Sequence, residues 1–287
     1  MSNANATPPN EREILRRHGF TFSKAMGQNF LVNPGVCPRM AALCGADKHS
    51  GVLEIGPGAG ALTRELAKIA GKVVAVELDE RLLPILEEIL NGHSEATENV
   101  TVVQGDILAL DLPALLDEHL SGMDVYVCAN LPYYITSPVV MHLLESRLPF
   151  KAITLMVQQE AAQRLCAPMG SRACGAITAA VAYYAEANML FKVSRGSFLP
   201  VPNVDSAVLQ LVPRETPPVN VDEAAFFKLI RAAFGQRRKT AANAISAGLG
   251  IEKSRVLAAM ARAQIPPATR AEGMTLDDYA RLLGALS

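Results

Sequence analysis

The chain has 287 residues, which at about 150 residues per domain makes one large domain or a large one with a small one. Half of it is hydrophobic, 19% is charged, and it holds 20 glycines and 18 prolines, a composition that excludes disordered, fibrous and disulfide-scaffold chains. Net charge is only −1, yet eleven acids against one base between Glu77 and Glu118 leave that stretch at −10 and the remainder at +9. Residues 1–9 are expected to be disordered, and Met1 to Asn10, rich in Asn, Pro and Ala, lack the basic-then-apolar layout of a secretory signal. Beyond them, short apolar runs alternate with longer amphipathic stretches, the pattern of a parallel sheet covered by helices. Strands are predicted at Gly51 to Ile55, Lys72 to Val76, Val100 to Val103, Asp124 to Ala129, Ala152 to Val157, Met189 to Ser194 and Ala207 to Val212. Helices are predicted between them at Ala61 to Ile69, Glu80 to Leu90, Ser137 to Glu145 and Gln158 to Leu165. The apolar stretch around Ala173 to Ala185 is too short for a bilayer span of roughly 18 residues. After Pro213, the run Arg214-Glu215-Thr216-Pro217-Pro218 reads as a linker, because paired prolines cannot extend a strand ladder. Four helices follow with no strand among them, at Asp222 to Phe234, Arg237 to Ala247, Lys253 to Arg262 and Thr275 to Leu286, with Asp222 and Thr275 as N-caps. The expected fold is therefore α/β, with a sheet of about seven strands in residues 10–213 and a small all-α domain in residues 214–287.

Five cysteines without a CxxC pair imply reduced thiols, and no spacing supports a metal site. Cys128, inside the apolar run Val125 to Ala129, reads as a buried small hydrophobe.

The first chemical signal is Val52-Leu53-Glu54-Ile55-Gly56-Pro57-Gly58-Ala59-Gly60, a glycine-rich turn between the first strand and first helix of the sheet. Doubly wound folds bind nucleotides at this point, and glycine lets a ligand approach the backbone. Glu77 ends the second strand 21 residues after Gly56, where a carboxylate can accept hydrogen bonds from both hydroxyls of a ribose. Asp106, after the third strand, is placed to accept from an adenine amino group. A dinucleotide and S-adenosylmethionine both satisfy this pattern, and the glycines do not choose between them.

The fourth strand leads into Asn130-Leu131-Pro132-Tyr133 at the carboxyl edge. This is similar to the Asn/Asp-Pro-Pro-Tyr tetrapeptides of enzymes that methylate planar exocyclic amino groups. An adenine amino group is a poor nucleophile, because its lone pair is delocalised into the ring. The Asn130 side-chain oxygen and the Leu131 carbonyl can accept its two N–H groups and hold the lone pair toward a sulfonium methyl, which is catalysis by positioning and by stabilising charge that develops on nitrogen. Tyr133 offers a face on which the base can stack. Neither a metal nor a general base with a shifted pKa is required.

With these residues, the chain from about Arg17 to Leu286 resembles the KsgA-like ribosomal RNA adenine dimethyltransferases. The resemblance rests on Gly27 to Leu31, Leu53 to Gly60, Val76 to Asp79, Gly105-Asp106, Asn130 to Tyr133, Pro200 to Val208 and Ala232 to Thr240, in that order. It implies a Rossmann-like class I methyltransferase sheet, S-adenosylmethionine as methyl donor, and N(6),N(6)-dimethylation of two adjacent adenosines near the 3′ end of small-subunit rRNA. By position it assigns Asn29, Leu31, Gly56, Glu77, Asp106 and Asn130 to the cofactor. Phe198 becomes the candidate second face of a sandwich around the target base. The chain departs from many relatives at Tyr134, where they have Asn, and at Met169 to Ala176.

Five bases and no acid between Lys228 and Lys239 suit contact with RNA phosphates, with Arg231, Arg237, Arg238 and Lys239 as the RNA-binding candidates. Arg12, Arg16, Arg17 and Lys24 are expected to extend this basic surface. Near-neutral total charge points to an immature small ribosomal particle as the partner, in preference to naked rRNA. A cytoplasmic monomer with no membrane partner is expected, active in late ribosome assembly. The competing readings are a large-subunit rRNA adenine methyltransferase of the antibiotic-resistance class, an assembly factor acting chiefly by binding, and a DNA adenine methyltransferase, for which no separate duplex-reading domain is evident.

Overall fold

The computed structural model of the chain describes residues 11–21, 29–92, 97–236 and 238–286. The segment expected to be disordered, 1–9, lies outside them, as do Lys24, Gly27, Gln28 and Arg237. The chain forms two compact units, Met1–Gln159 with Met189–Val212, and Glu160–Asn188 with Pro213–Ser287.

In chain order the first elements are α1 (Glu11–Arg17), β1 (Phe30–Leu31), α2 (Val36–Leu43), β2 (Ser50–Ile55), α3 (Ala61–Ile69), β3 (Lys72–Glu77), α4 (Leu83–Asn91), β4 (Val100–Gln104) and α5 (Leu112–Leu120). They continue with β5 (Asp124–Asn130), α6 (Thr136–Glu145), β6 (Phe150–Gln158), α7 (Gln159–Leu165), α8 (Ala176–Tyr184), β7 (Ala185–Val193), β8 (Phe198–Leu199) and β9 (Ser206–Pro213). Seven strands form one sheet in the order β4-β3-β2-β5-β6-β9-β7, and β1 pairs with β8 in a separate two-stranded ribbon. All six residues of central β2 are buried, whereas edge strand β4 is half-buried or exposed throughout. A strand covered by helices on both faces needs apolar residues on both, which is why β2 reads as a continuous run instead of an alternation.

Parallel pairing holds from β4 through β6, but β9 runs antiparallel to β6, with Gln158 opposite Ser206 and Ile153 opposite Leu211. The sheet is thus mixed, which corrects the expectation of a parallel one. No α-helix separates Val193 from Ser206, only a 3₁₀ turn at Arg195–Ser197 and β8, and a parallel connection needs a crossover, usually an α-helix. Four helices, α1, α2, α5 and α8, were not anticipated from periodicity. Helix α1 docks on α4 by burying Ile14 and Leu15 against Leu82, Ile85 and Ile89, while the Arg17 guanidinium donates to Glu88 at 2.5 Å. Arg17, expected to extend a basic surface, is half-exposed and paired with this carboxylate.

The second unit holds α9 (Glu223–Phe234), α10 (Ala241–Leu249), α11 (Lys253–Arg262) and α12 (Leu276–Leu286). It also takes in residues 160–188, which the linker at 214–218 had placed with the sheet. The cause is aromatic packing: Tyr183 and Tyr184 on α8 lie 5.1 and 5.4 Å from the Phe227 ring of α9, and the Tyr184 hydroxyl donates to Glu223 at 2.5 Å. The apolar run around Ala173 to Ala185 is thus a buried core helix, with six of its nine residues inside. The departing segment Met169 to Ala176 belongs to this unit too, with Gly170 at φ +81° and the Cys174 thiol 3.5 Å from Met169 Sδ.

Candidate active site

Register explains why the motif residues meet. Ile55 lies opposite Val76 on one side and Ala129 on the other, so Gly56, Glu77 and Asn130 sit at one level of the sheet's carboxyl edge. There the chain turns through Gly56, Gly58 and Gly60 at φ +69°, +59° and +78°, a left-handed backbone that side chains disfavour. A Cβ on Gly58 would come within 3.0 Å of the Phe30 ring, so a side chain there would need that ring to give way; a Cβ on Gly56 would meet nothing within 4 Å, leaving that backbone open to a ligand.

One cavity collects Gly56, Glu77, Asp106, Asn130, Leu131 and Tyr133 from the sheet edge, together with Asn29, Leu31 and Phe198. The ribbon brings in the last three: Leu31 pairs with Phe198 and Phe30 with Leu199, and the Val32 N–H donates to the Ser197 carbonyl at 2.8 Å. Glu77 is buried, and its two oxygens accept the backbone N–H groups of Gly58 at 3.1 Å and Asp79 at 2.9 Å, tying the glycine turn to the end of β3. Burial raises its pKa, offset in part by those N–H groups. Asp106 is exposed and accepts from the Leu108 N–H at 3.0 Å through one oxygen.

Asn130 closes β5, and among the described residues its side-chain amide has no hydrogen-bond partner. Leu131 is fully buried and donates its N–H to the Met156 carbonyl at 3.1 Å. The Tyr133 hydroxyl lies 3.1 Å from the buried Ser206 hydroxyl of β9, which fixes the ring against the cavity wall, and burial raises its pKa. Phe198 is 2% exposed and belongs to the apolar cluster around Met40, Val52 and Phe191, so it is a core aromatic whose surface also reaches the cavity.

A family model for ribosomal RNA adenine dimethylase matches residues 19–286. The chain belongs to this family. Among relatives of this dimethylase, the ribosomal RNA small subunit methyltransferase A of Shouchella clausii (strain KSM-K16) is 45% identical over 98% of the chain and 95% of its own length. The protein of the same name from Geobacillus sp. (strain WCH70) is 43% identical over 98% and 97%. Of solved structures, a dimethyladenosine transferase from Plasmodium falciparum superposes with a TM-score of 0.70 at 25% identity, covering 88% of this chain and 95% of the other. The 23S rRNA methyltransferase ErmE gives 0.66 at 29% identity, covering 90% and 99%.

The dimethylase's cavity holds one group that sequence reasoning passed over. Glu54 is 1% exposed in the largely apolar β2, lines the cavity, and its Oε2 has no hydrogen-bond partner. Burial pushes its pKa up to about 8, and the Thr63 hydroxyl, which makes no hydrogen bond of good geometry, offsets this only in part. The signal was in plain view: an acid inside a continuous apolar strand two residues before a glycine turn.

In the helical unit, Lys228 and Arg231 on α9 and Arg238 and Lys239 in the turn before α10 are exposed, and among the described residues they form no ion pair. Lys228 and Arg231 border a cleft of about 410 Å³ between α9 and α10. The α9–α10 approach is close because Gly248 faces Ala232, where a Cβ would come within 2.8 Å. None of the five cysteines is in a disulfide, and burial raises Cys128 well above the usual thiol range. Among the described residues no cluster of metal-ligating side chains occurs, and no helix is long and apolar enough to cross a membrane.

Proposed function

We propose that this dimethylase transfers methyl groups from S-adenosylmethionine to the exocyclic amino groups of two adjacent adenosines near the 3′ end of small-subunit rRNA. The observation that carries the reading is the unpartnered Asn130 amide at the end of β5, beside the fixed Tyr133 ring. Identities of 43–45% to proteins named small subunit methyltransferase A, against 29% to the 23S enzyme, favour the small subunit.

The residues suit the donor: a glycine turn open at Gly56, a carboxylate at Glu77 for ribose hydroxyls, Asp106 for an adenine amino group, and the orphaned Glu54 oxygen on the same wall. Asn29, Leu31 and Asn130 would complete its site. When bound, S-adenosylmethionine supplies an electrophilic methyl on a cationic sulfur. Asn130 and the Leu131 carbonyl accept the two N–H groups of the target amine and orient its lone pair. Tyr133 and Phe198 flank the base, which must leave its stack to enter. The departing proton goes to water, so no metal is needed. Arg231, Arg237, Arg238 and Lys239 hold RNA phosphates on the helical unit.

The natural partner in this reading is an immature small ribosomal particle in the cytoplasm, met by a monomer late in assembly. The test is transfer of labelled methyl to small subunits lacking the modification, followed by mass spectrometry of the digested rRNA. Dimethyladenosine at two neighbouring 3′ positions is expected. Incorporation into large-subunit rRNA alone would replace this reading with the resistance-type one, and none anywhere would leave a binding protein.

A further inference from the structure

We propose that Tyr134 is a stacking platform for the nucleotide next to the target adenine, so that the enzyme engages two unstacked bases in succession. The proposal rests on the function above. Tyr134 is 56% exposed and is the one aromatic among the exposed large hydrophobics of the described residues. Single exposed apolar side chains are ordinary; what distinguishes this one is its place on the wall of the cavity that holds Asn130, Tyr133 and Phe198. Among the described residues its ring has no aromatic partner and its hydroxyl no hydrogen bond.

Residues Tyr133–Ile135 form a single 3₁₀ turn, closed by the Ile135 N–H donating to the Pro132 carbonyl at 3.2 Å, and Thr136 starts α6 directly after it. With three residues per turn, consecutive side chains diverge by about 120°. Tyr133 is thus held to the wall through Ser206 while Tyr134, one residue on, turns to the rim on the same rigid support. Two adjacent aromatic residues, one fixed inside and one free outside, match two adjacent bases, one flipped in and one at the mouth. Exposed Val201 and Val204, on the loop between β8 and β9, add apolar surface at neighbouring sequence to Phe198. Because the two target adenosines are neighbours, whichever enters the cavity leaves the other as its flank. The same platform then serves both rounds.

The experiment uses purified full-length enzyme and undermethylated small subunits, with the two adenosines either intact or with one replaced by uridine, whose smaller ring stacks less well. Loss of one aromatic stack corresponds to roughly 5- to 150-fold in kcat/KM. Tyr134→Ala should lose that much on the intact site, carried mainly by KM for the particle, with an unchanged melting temperature because the side chain is exposed. Tyr134→Phe should restore activity, since stacking needs the ring and not the hydroxyl. On the uridine-containing site the gap between wild type and Tyr134→Ala should shrink. An alanine variant within twofold of wild type would overturn the proposal, as would failure of Phe to rescue or an equal loss on both substrates. Wild-type enzyme that methylates neither substrate would instead fail at the proposed function itself, before any variant is compared.

Discussion

Replacing Glu54 by Gln isolates the energetic cost of an ionisable group on a buried strand. In an unfolded chain the Glu54 carboxyl titrates at 4.5; in the folded protein burial pushes it up to about 8. Below 4.5 both states hold the proton and the site is neutral to stability. Between 4.5 and about 8 the unfolded chain releases the proton while the folded chain keeps it, so rising pH favours unfolding. Above 8 the effect levels off. At about 1.4 kcal/mol per tenfold in proton affinity, the loss accumulated between pH 5 and pH 8.5 is roughly 4 kcal/mol. E54Q carries no such slope from this site. Urea unfolding of wild type and E54Q across that range should therefore show a difference that moves by roughly this amount in favour of the variant, whatever the amide costs at pH 5. Glu77 is also raised by burial and its charge contributes to the rise at Glu54, so the difference measured is that of the Glu54–Glu77 pair. Parallel stability profiles, within about 1 kcal/mol over the range, would refute the assignment of a neutral acid to this wall.

Asn130→Ala should lower methyl transfer by roughly 100- to 1,000-fold, the usual loss when one positioned hydrogen-bonding group is removed from a reacting centre, while leaving particle binding intact in a sedimentation assay. Gly58→Ala places a Cβ within 3.0 Å of the Phe30 ring at φ +59°; a cost of about 1–2 kcal/mol in thermal unfolding and weaker donor binding by calorimetry are expected. Leu53→Ala removes a fully buried side chain from the middle of β2 and should destabilise by about 2–5 kcal/mol in denaturant melts. Each of Arg238→Ala and Lys239→Ala should reduce the dependence of log affinity on log salt by about 1 in filter binding to small subunits, with kcat at saturation unchanged.

Much of the fold was legible because its signals are local. Strands Gly51 to Ile55 and Lys72 to Val76 lie within one residue of their observed ends, and the helix Ala61 to Ile69 coincides with α3, since a buried parallel strand and an amphipathic helix each announce themselves over a few residues. Strand direction is different in kind. The run Ala207 to Val212 is as apolar as any other strand, and its antiparallel place between β6 and β7 follows from a missing crossover helix, visible only when connections are considered together. The apolar helix α8 was equally hidden, because a segment apolar on every side has no stripe to detect and its membership of the helical unit depends on partners forty residues away.

The site shows the same division. Gly56, Glu77, Asp106 and Asn130 stand directly after strands, and a sheet's carboxyl edge gathers such positions by geometry alone. Asn29, Leu31 and Phe198 follow no such rule; what joins them to the cavity is a two-residue ribbon between segments some 167 positions apart, too short to leave a periodic trace. Glu54 was missed for the opposite reason. Its surroundings were read so readily as a strand that the one residue at odds with them passed as part of the pattern. A carboxyl that burial holds at about 8 is costly to keep in a strand of this kind, and local departures of this sort concentrate where a protein meets its ligand. The acid that breaks an apolar strand is thus as much a pointer to the cavity as the glycines that follow it.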